Sequence, residues 1–160
     1  MLSGLFKKRK VEIYAPVNGE IIPLDQVPDP VFSQKMMGEG VAVIPTDGTF
    51  RAPVEGTVVL ISDTKHAIGL RTNNGTEILI HIGLETVSLQ GKGFTVLVET
   101  GDKISLGQPL IEADLEYIRE HATSIVTPII VTNSSDKVVQ CLHTKNGLAE
   151  KTLVMTVSNK

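Results

Sequence analysis

The chain alternates short apolar runs with turn-forming residues over almost its whole length. Its first two runs, residues 11–14 and 20–24, flank Asn18-Gly19, a dipeptide typical of tight hairpins, and predict strand, turn and strand. Many short strands at close spacing predict an all-β fold, an antiparallel β-sandwich or barrel. The other predicted strands cover residues 41–44, 50–52, 57–61, 66–71, 77–82, 95–99, 110–113, 125–131, 138–142 and 153–157.

One or two short helices are predicted among these strands. Residues 115–121 form the first, because Asp114 is a good N-cap and Glu116 places a favourable charge in the first turn. A second helical turn over residues 31–37 follows the proline-rich stretch 27–30.

An internal repeat points to a doubled architecture. Ala-Pro-Val-Asn-Gly-Glu-Ile at residues 15–21 returns as Ala-Pro-Val-Glu-Gly-Thr-Val at residues 52–58. Either two similar hairpin units are present, or Pro-x-x-Gly recurs simply because turns are dense. The sequence leaves both readings open.

The length of 160 residues suits one domain, which we place at residues 11–160. Residues 1–10 combine an apolar piece with four basic residues, and we expect a flexible, solubilising tail. The alternative is a weak peripheral contact of this tail with an anionic membrane surface. The apolar runs are too short to cross a bilayer.

Composition narrows the choice of partners. Fifteen Lys+Arg against eighteen Asp+Glu give a net charge of -3, so the basic footprint of a nucleic-acid-binding domain is missing. Aromatic residues make up 4% and Trp is absent, which disfavours base-stacking and sugar-binding platforms. Cys141 is the single cysteine, and a reducing cytoplasm is the expected location.

Two histidines lie in the arms of one predicted hairpin. If Asn74-Gly75 forms a two-residue loop, Ile68 lies opposite His81, and His66 is a diagonal neighbour of His81 with backbones about 7–8 Å apart. The two imidazoles then meet. A three-residue loop would instead place the two side chains on opposite faces.

His81 interrupts an apolar strand, where a titratable ring needs a partner or a purpose. It is either a core histidine or a reactive one, and the convergence of His66 favours the second. Thr64 is either an ordinary strand-end threonine or a hydroxyl that fixes the tautomer of His66. We expect His121 and His143 to be surface or capping residues. Metalloprotease, zinc-ribbon, P-loop and serine-hydrolase motifs do not occur.

The segments GTEILIHIGLETV at residues 75–87 and LQGKGF at residues 89–94 resemble a known phosphorylation-site signature. It belongs to the IIA component of the glucose family of the bacterial phosphoenolpyruvate-dependent sugar phosphotransferase system. Residues 52–56, 101–104 and 107–110 also resemble that family, and the likeness spans residues 14–157.

This resemblance implies a fold and an activity. The fold is an antiparallel β-sandwich of the duplicated hybrid motif type, also described as a barrel-sandwich hybrid. The activity is that of a phosphotransferase in sugar uptake. His81 is the phosphorylated nucleophile through Nε2, His66 stabilises the phosphoryl group, and Thr64 orients His66.

The resemblance also implies the partners. The histidine-containing phosphocarrier protein HPr donates the phosphoryl group, a cysteine of a permease IIB domain accepts it, and a monomer suffices. The residues implied at the docking surface are Asp29, Val31, Phe32, Met36, Met37, Leu79, Glu85 and Val87. For Phe32, Met36 and Met37, ordinary core packing is the alternative.

We expect no cofactor. Two ring nitrogens are too few for a stable intrinsic zinc site, so His66 and His81 would bind zinc only with a partner's carboxylate. Phosphorylation-dependent regulatory targets and the imported sugar stay open. The short basic tail differs from the longer amphipathic helix of some family members, which argues against lipid anchoring.

Two rival functions are weaker. Residues 101–110 resemble the hairpin of biotinyl and lipoyl carrier domains, but no Met-Lys-Met is present. A metal-dependent hydrolase would want a His-x-His pair, whereas His81 is followed by Ile82 and Gly83. The phosphoryl carrier is therefore the preferred hypothesis.

Overall fold

The strands of the protein form three antiparallel sheets. The computed structural model describes residues 10–142 and 144–160, and these contain fourteen strands and two short α-helices. The helices are α1 (Pro30–Ser33) and α2 (Leu115–His121). The strands are β1 (Lys10–Tyr14), β2 (Gly19–Pro23), β3 (Glu39–Pro45), β4 (Thr49–Arg51), β5 (Gly56–Ile61), β6 (Ala67–Arg71), β7 (Glu77–His81), β8 (Phe94–Val96), β9 (Lys103–Ile104), β10 (Pro109–Ala113), β11 (Thr127–Val131), β12 (Lys137–Cys141), β13 (Asn146–Gly147) and β14 (Leu153–Asn159).

The strand order shows that the fold is doubled. The large sheet has the order β13-β2-β3-β11-β7-β6-β5-β9, and the small sheets have the orders β1-β14-β12 and β4-β10-β8. In this doubling, β1, β2 and β3 correspond to β4, β5 and β6, and β11, β12, β13 and β14 correspond to β7, β8, β9 and β10. When each strand is replaced by its counterpart, the strand orders of all three sheets are reproduced. The second set of seven strands is thus inserted between β3 and β11 of the first.

Backbone hydrogen bonds carry the repeat seen in the sequence. The Tyr14 amide donates to the Pro53 carbonyl at 2.9 Å, and the Arg51 amide donates to the Pro16 carbonyl at 2.7 Å. These two bonds exchange when each residue is replaced by its counterpart in the other copy. The repeat is therefore a real duplication, and the predicted duplicated β-sandwich is confirmed.

The large sheet separates two apolar clusters. Successive side chains in a strand point to opposite faces, so Ile78 and Ile80 join the main core with residues from both small sheets. Leu79 points to the outer face, where it packs in a second cluster with Phe32 and Ala67. The chain from Leu24 to Gly38, including α1, covers part of this outer face.

The sequence predicted most of the elements correctly. The bounds of α2 and its Asp114 cap are as predicted, and the Asp114 carboxylate accepts a hydrogen bond from the Tyr117 amide. The first predicted hairpin is wrong, because β1 pairs with β14 and β2 pairs with β3. The chain bends between these strands and passes from one sheet to another. α1 ends at Ser33, and the short strands β9 and β13 were not predicted.

Two sequence predictions fall partly or wholly outside the described residues. Of the expected tail, residues 1–9 lie outside, whereas Lys10 begins β1 and pairs with Ser158. His143 also lies outside the described residues.

Candidate functional site

The hairpin β6–β7 carries the candidate site, but its predicted register is wrong. Ala67, not Ile68, lies opposite His81, and Arg71 lies opposite Glu77. The Thr72 amide donates to the Thr76 carbonyl, so the loop contains three residues, 73–75, rather than two. Asn74 selects this longer turn, because its side-chain oxygen accepts from both the amide and the hydroxyl of Thr76.

The two histidine rings nevertheless meet. Their centroids lie 4.7 Å apart with an interplanar angle of 76°, an edge-to-face arrangement. His66 lies one residue before β6, after a turn in which Lys65 has a φ of 64°. The face rule for regular strands therefore does not hold at His66. The predicted convergence is confirmed, although the register argument for it fails.

Gly83 fixes the tautomer of His81. The Nδ1 atom of His81 lies 2.8 Å from the Gly83 carbonyl oxygen, which can only accept a hydrogen bond. Nδ1 therefore carries the proton. In the neutral ring Nε2 then has the free lone pair, and this is the nitrogen able to attack an electrophile.

His66 is held through its Nδ1 atom by two hydroxyl groups. The Thr64 Oγ1 lies 2.7 Å from this nitrogen, and the Ser62 Oγ lies 3.5 Å from it. Ser62 also accepts a hydrogen bond from the Ala67 amide at 3.1 Å. The turn that precedes β6 thus orients the His66 ring, which is only 6% exposed.

Both imidazoles are biased toward the neutral form. Burial lowers the pKa of His66, and repulsion from a charged His81 lowers it further, against a hydrogen bond to the Thr64 backbone that raises it. Burial also lowers the pKa of His81, opposed by the hydrogen bond to Gly83 and by the charge of Asp29. A neutral His81 has the lone pair that nucleophilic attack requires.

Aromatic rings border the pair on two sides. The centroid of Phe32 lies 5.1 Å from that of His81, and the centroid of Phe94 lies 6.5 Å from that of His66. Phe32 and Leu79 are buried in the second cluster, so they support the site from below. Their proposed contact with a partner stays a prediction.

Exposed apolar side chains belong to the segments that flank the histidines. Met36 is 70% exposed and Val87 is 57% exposed, while Val31 and Met37 are exposed to a smaller extent. Exposed methionines suit a surface that must fit several partners, because their side chains are flexible and polarizable. These four residues are free to serve as docking contacts.

Two carboxylates accompany this apolar surface. Asp29 caps α1 by accepting from the Val31 amide at 3.0 Å, and its charge acts on His81. The exposed Glu85 accepts a hydrogen bond from the Thr123 hydroxyl and has a left-handed backbone with φ of 58°. Both remain available to a basic partner.

Sequence reasoning missed Gly83, Ser62 and Phe94. Gly83 lies two residues after His81 in the recognised segment, but only the fold shows that its carbonyl accepts a hydrogen bond from the imidazole. Ser62 lies four residues before His66, outside the strand used for the prediction. Phe94 is distant in sequence and reaches His66 only through the packing of a different sheet.

The remaining candidate groups lie elsewhere. His121 stacks on Tyr117 with centroids 4.2 Å apart. A cleft of about 550 Å³ is lined by Cys141, Glu39 and Lys35, and neither His66 nor His81 lines it. Burial raises the pKa of the Cys141 thiol, which donates to the Gly40 carbonyl. Within residues 10–142 and 144–160, no three metal-binding side chains are grouped to hold a metal ion.

None of the helices in the described part of the chain is long and apolar enough to cross a membrane.

The histidine site combines a partly buried imidazole whose Nε2 lone pair is free, a second imidazole beside it, and an exposed apolar and acidic rim. Such a site can accept a small charged group from a second protein and release it to a third.

Comparison with known proteins identifies a matching family and similar proteins that belong to it. Residues 11–137 match the family model described as phosphoenolpyruvate-dependent sugar phosphotransferase system, EIIA 1. The chain is 55% identical over 139 residues to the glucose-specific EIIA component of Staphylococcus epidermidis, and the aligned region covers 84% of each chain. It is 51% identical over 151 residues to the glucose-specific EIICBA component of Staphylococcus saprophyticus, covering 94% of this chain and 22% of that one.

The chain thus spans about a fifth of the EIICBA relative but most of the separate EIIA relative. A solved structure, the glucose permease IIA of Mycoplasma capricolum, superposes with a TM-score of 0.86 at 38% identity. The match covers 92% of this chain and 96% of the other.

Proposed function

The chain belongs to the EIIA 1 family of the phosphoenolpyruvate-dependent sugar phosphotransferase system, and from this premise we propose that His81 carries its phosphoryl group. A family member of this kind is a phosphotransferase that carries phosphate in sugar transport. The observation that supports His81 is the hydrogen bond from its Nδ1 to the Gly83 carbonyl, which leaves the Nε2 lone pair free.

In the first half-reaction the Nε2 lone pair of His81 attacks the phosphorus of a phosphohistidine on HPr. A new N–P bond forms as the N–P bond of the donor breaks, and the donor imidazole keeps the electron pair. The proton on Nδ1 of His81 stays there throughout, donated in a hydrogen bond to the Gly83 carbonyl. Such a transfer depends on in-line positioning and on charge stabilisation more than on further covalent groups.

His66 stabilises the transferred group. When the Thr64 hydroxyl donates to Nδ1 of His66, the proton of the neutral ring is on Nε2, which can donate to a phosphoryl oxygen. The opposite tautomer would turn a lone pair toward that oxygen and repel it. In this proposal Thr64 is a positioning residue, because its hydroxyl stabilises the useful tautomer when it donates to Nδ1 of His66.

In the second half-reaction a cysteine thiolate of a IIB domain attacks the phosphorus on His81. An S–P bond forms, the N–P bond breaks, and the electron pair returns to Nε2. EIICBA relatives join segments of these types in one polypeptide, which supports a IIB domain as acceptor. The glucose-specific names of the two relatives from Staphylococcus epidermidis and Staphylococcus saprophyticus support a glucose permease as the partner system.

The docking surface for both partners comprises the exposed Val31, Met36, Met37 and Val87 with the carboxylates of Asp29 and Glu85, over the buried Phe32 and Leu79. A single small patch serves donor and acceptor in turn, because both must reach the same nitrogen.

Any zinc at His66 and His81 would need further ligands from a partner protein. We place the chain in the cytoplasm, where phosphoenolpyruvate is made.

The test combines phosphoenolpyruvate, enzyme I, HPr and this protein, with a IIB domain added in a second step. His81→Ala should take up no phosphate, whereas His66→Ala should be labelled but fail to pass its phosphate on. His121→Ala, which removes a histidine outside the site, should behave as wild type. Label on His81→Ala at the wild-type level would refute the proposal.

A further inference from the structure

The Gly83 carbonyl that fixes His81 must itself be held in place. It belongs to the peptide between Gly83 and Leu84, in which the C=O and the N–H point in opposite directions. The Leu84 amide donates to the Ser124 carbonyl at 2.9 Å. This bond orients one side of the peptide and directs the Gly83 oxygen toward His81.

Thr86 holds the preceding peptide. Its hydroxyl donates to the Ile82 carbonyl at 2.7 Å, and the residue is completely buried. The Ile82 amide is bonded in turn to the His66 carbonyl at 2.7 Å. Ile82 is thus held at its amide by the His66 carbonyl and at its carbonyl by the Thr86 hydroxyl.

The methyl group of Thr86 also packs on Gly83. A Cβ placed on Gly83 would lie 2.5 Å from the Thr86 Cγ2 and 2.8 Å from the Ser124 oxygen. Gly83 has a φ of 76°, a backbone region that favours glycine. Thr86 therefore contacts this left-handed glycine with its methyl group and the neighbouring carbonyl with its hydroxyl.

We propose that Thr86 is a positioning residue for phosphoryl transfer, which holds the Ile82–Gly83 backbone so that the Gly83 carbonyl keeps the proton of His81 on Nδ1. The inference rests on the proposed role of His81. Thr86 itself does not touch the ring. Its hydroxyl acts through the backbone, and the tautomer of His81 reports whether it does so.

The experiment compares Thr86→Val, which keeps the shape but loses the hydroxyl, with Thr86→Ser, which keeps the hydroxyl. The matched control is Thr127→Val, in β11. Thr127 is equally buried, and its hydroxyl donates to the Ile125 carbonyl at 3.0 Å. Nitrogen-15 NMR of the histidine rings gives the tautomer, and the HPr assay gives the rate of phosphoryl uptake.

We expect wild type, Thr86→Ser and Thr127→Val to show His81 as the Nδ1–H tautomer. Thr86→Val should show a mixture of tautomers and about 10- to 100-fold slower phosphoryl uptake, the range typical of removing an outer hydrogen-bond partner of a metal-ligating histidine. An Nδ1–H tautomer in Thr86→Val at the wild-type level, or an equal loss in Thr127→Val, would overturn the inference.

Thr86→Ala serves in place of Thr86→Val if the latter does not fold, with the same expected shift. The NMR readout needs no phosphate. A wild-type protein that shows the Nδ1–H tautomer but takes no phosphate would therefore contradict the proposed function while leaving the structural role of Thr86 measurable.

Discussion

The imidazole rings of His66 and His81 meet edge to face, with their centroids 4.7 Å apart. At this separation two positive charges would repel each other, and burial adds to the cost of charging either ring. The pair is therefore neutral near pH 7. Neutrality gives His81 its nucleophilic lone pair and lets His66 act as a hydrogen-bond donor.

The first prediction concerns stability and pH. Both histidines have a folded-state pKa below the ordinary value of 6.5. Between the folded and unfolded values the unfolded chain binds more protons, so the free energy of unfolding rises with pH. The full contribution is present above about pH 6.5 and is lost as the pH falls through the folded-state values.

Urea denaturation at pH 7.5 and at pH 5.5 measures this effect. Wild type should lose more stability on acidification than the double variant His66→Gln/His81→Gln, which lacks both groups. Equal losses in the two proteins would show that the pair does not titrate as described.

The second prediction concerns Thr64. Thr64→Val removes the hydroxyl that lies 2.7 Å from Nδ1 of His66 while leaving the ring in place. Onward transfer to a IIB domain should slow about 10- to 100-fold, because His66 loses its fixed tautomer. Thr64→Ser should restore most of the rate. A Thr64→Val protein as fast as wild type in single-turnover transfer would exclude a positioning role.

The third prediction concerns Gly83. Gly83→Ala should destabilise the fold, because an alanine there meets the Thr86 methyl and the Ser124 carbonyl as well as an unfavourable φ. The matched control is Gly101→Ala, with a φ of 97° and no atom within 4 Å of the added Cβ. Strain alone should cost Gly101→Ala about 1 to 3 kcal/mol.

Urea denaturation should rank Gly83→Ala well below Gly101→Ala, and only the former should also lose phosphoryl uptake. Equal destabilisation of the two variants would mean that the close packing around Gly83 is unimportant.

The fourth prediction concerns the acidic rim. Asp29→Asn removes a charge but keeps an oxygen that can accept from the Val31 amide and cap α1. Association with HPr at low salt should slow a few-fold, with a weaker dependence on salt, because a rim charge mainly affects the encounter rate. Glu12→Gln, at an exposed position in β1, should leave the rate unchanged. A similar effect of both variants would indicate only a general change in net charge.

The sequence predicted much of this fold for clear physical reasons. The Asp114 cap and the turn residues around the strands act locally, so α2 and most strand bounds follow from neighbouring residues. The pairing of β1 with β14 could not be predicted in this way, because it joins the two ends of the chain. In the sequence, the seven-strand repeat is visible only as a seven-residue motif, residues 15–21 and 52–58.

The candidate site shows the same division. His66, His81 and Thr64 were recognised from one short segment, and their mutual contacts exist in the structure. The register of the hairpin was missed because the side chain of Asn74 supports a three-residue loop. Gly83 and Thr86 were missed as positioning groups because their effect depends on backbone orientation, which a sequence pattern does not display.

In the proposed function the phosphoryl group resides on Nε2 of His81. The most direct measurement labels the protein through HPr and examines the phosphorylated ring by phosphorus-31 and nitrogen-15 NMR, with the residue located by mass spectrometry. We expect a single phosphohistidine at His81, linked through Nε2, with the Nδ1 proton still hydrogen-bonded to the Gly83 carbonyl. Phosphate on Nδ1 of His81, or on any other residue, would contradict it.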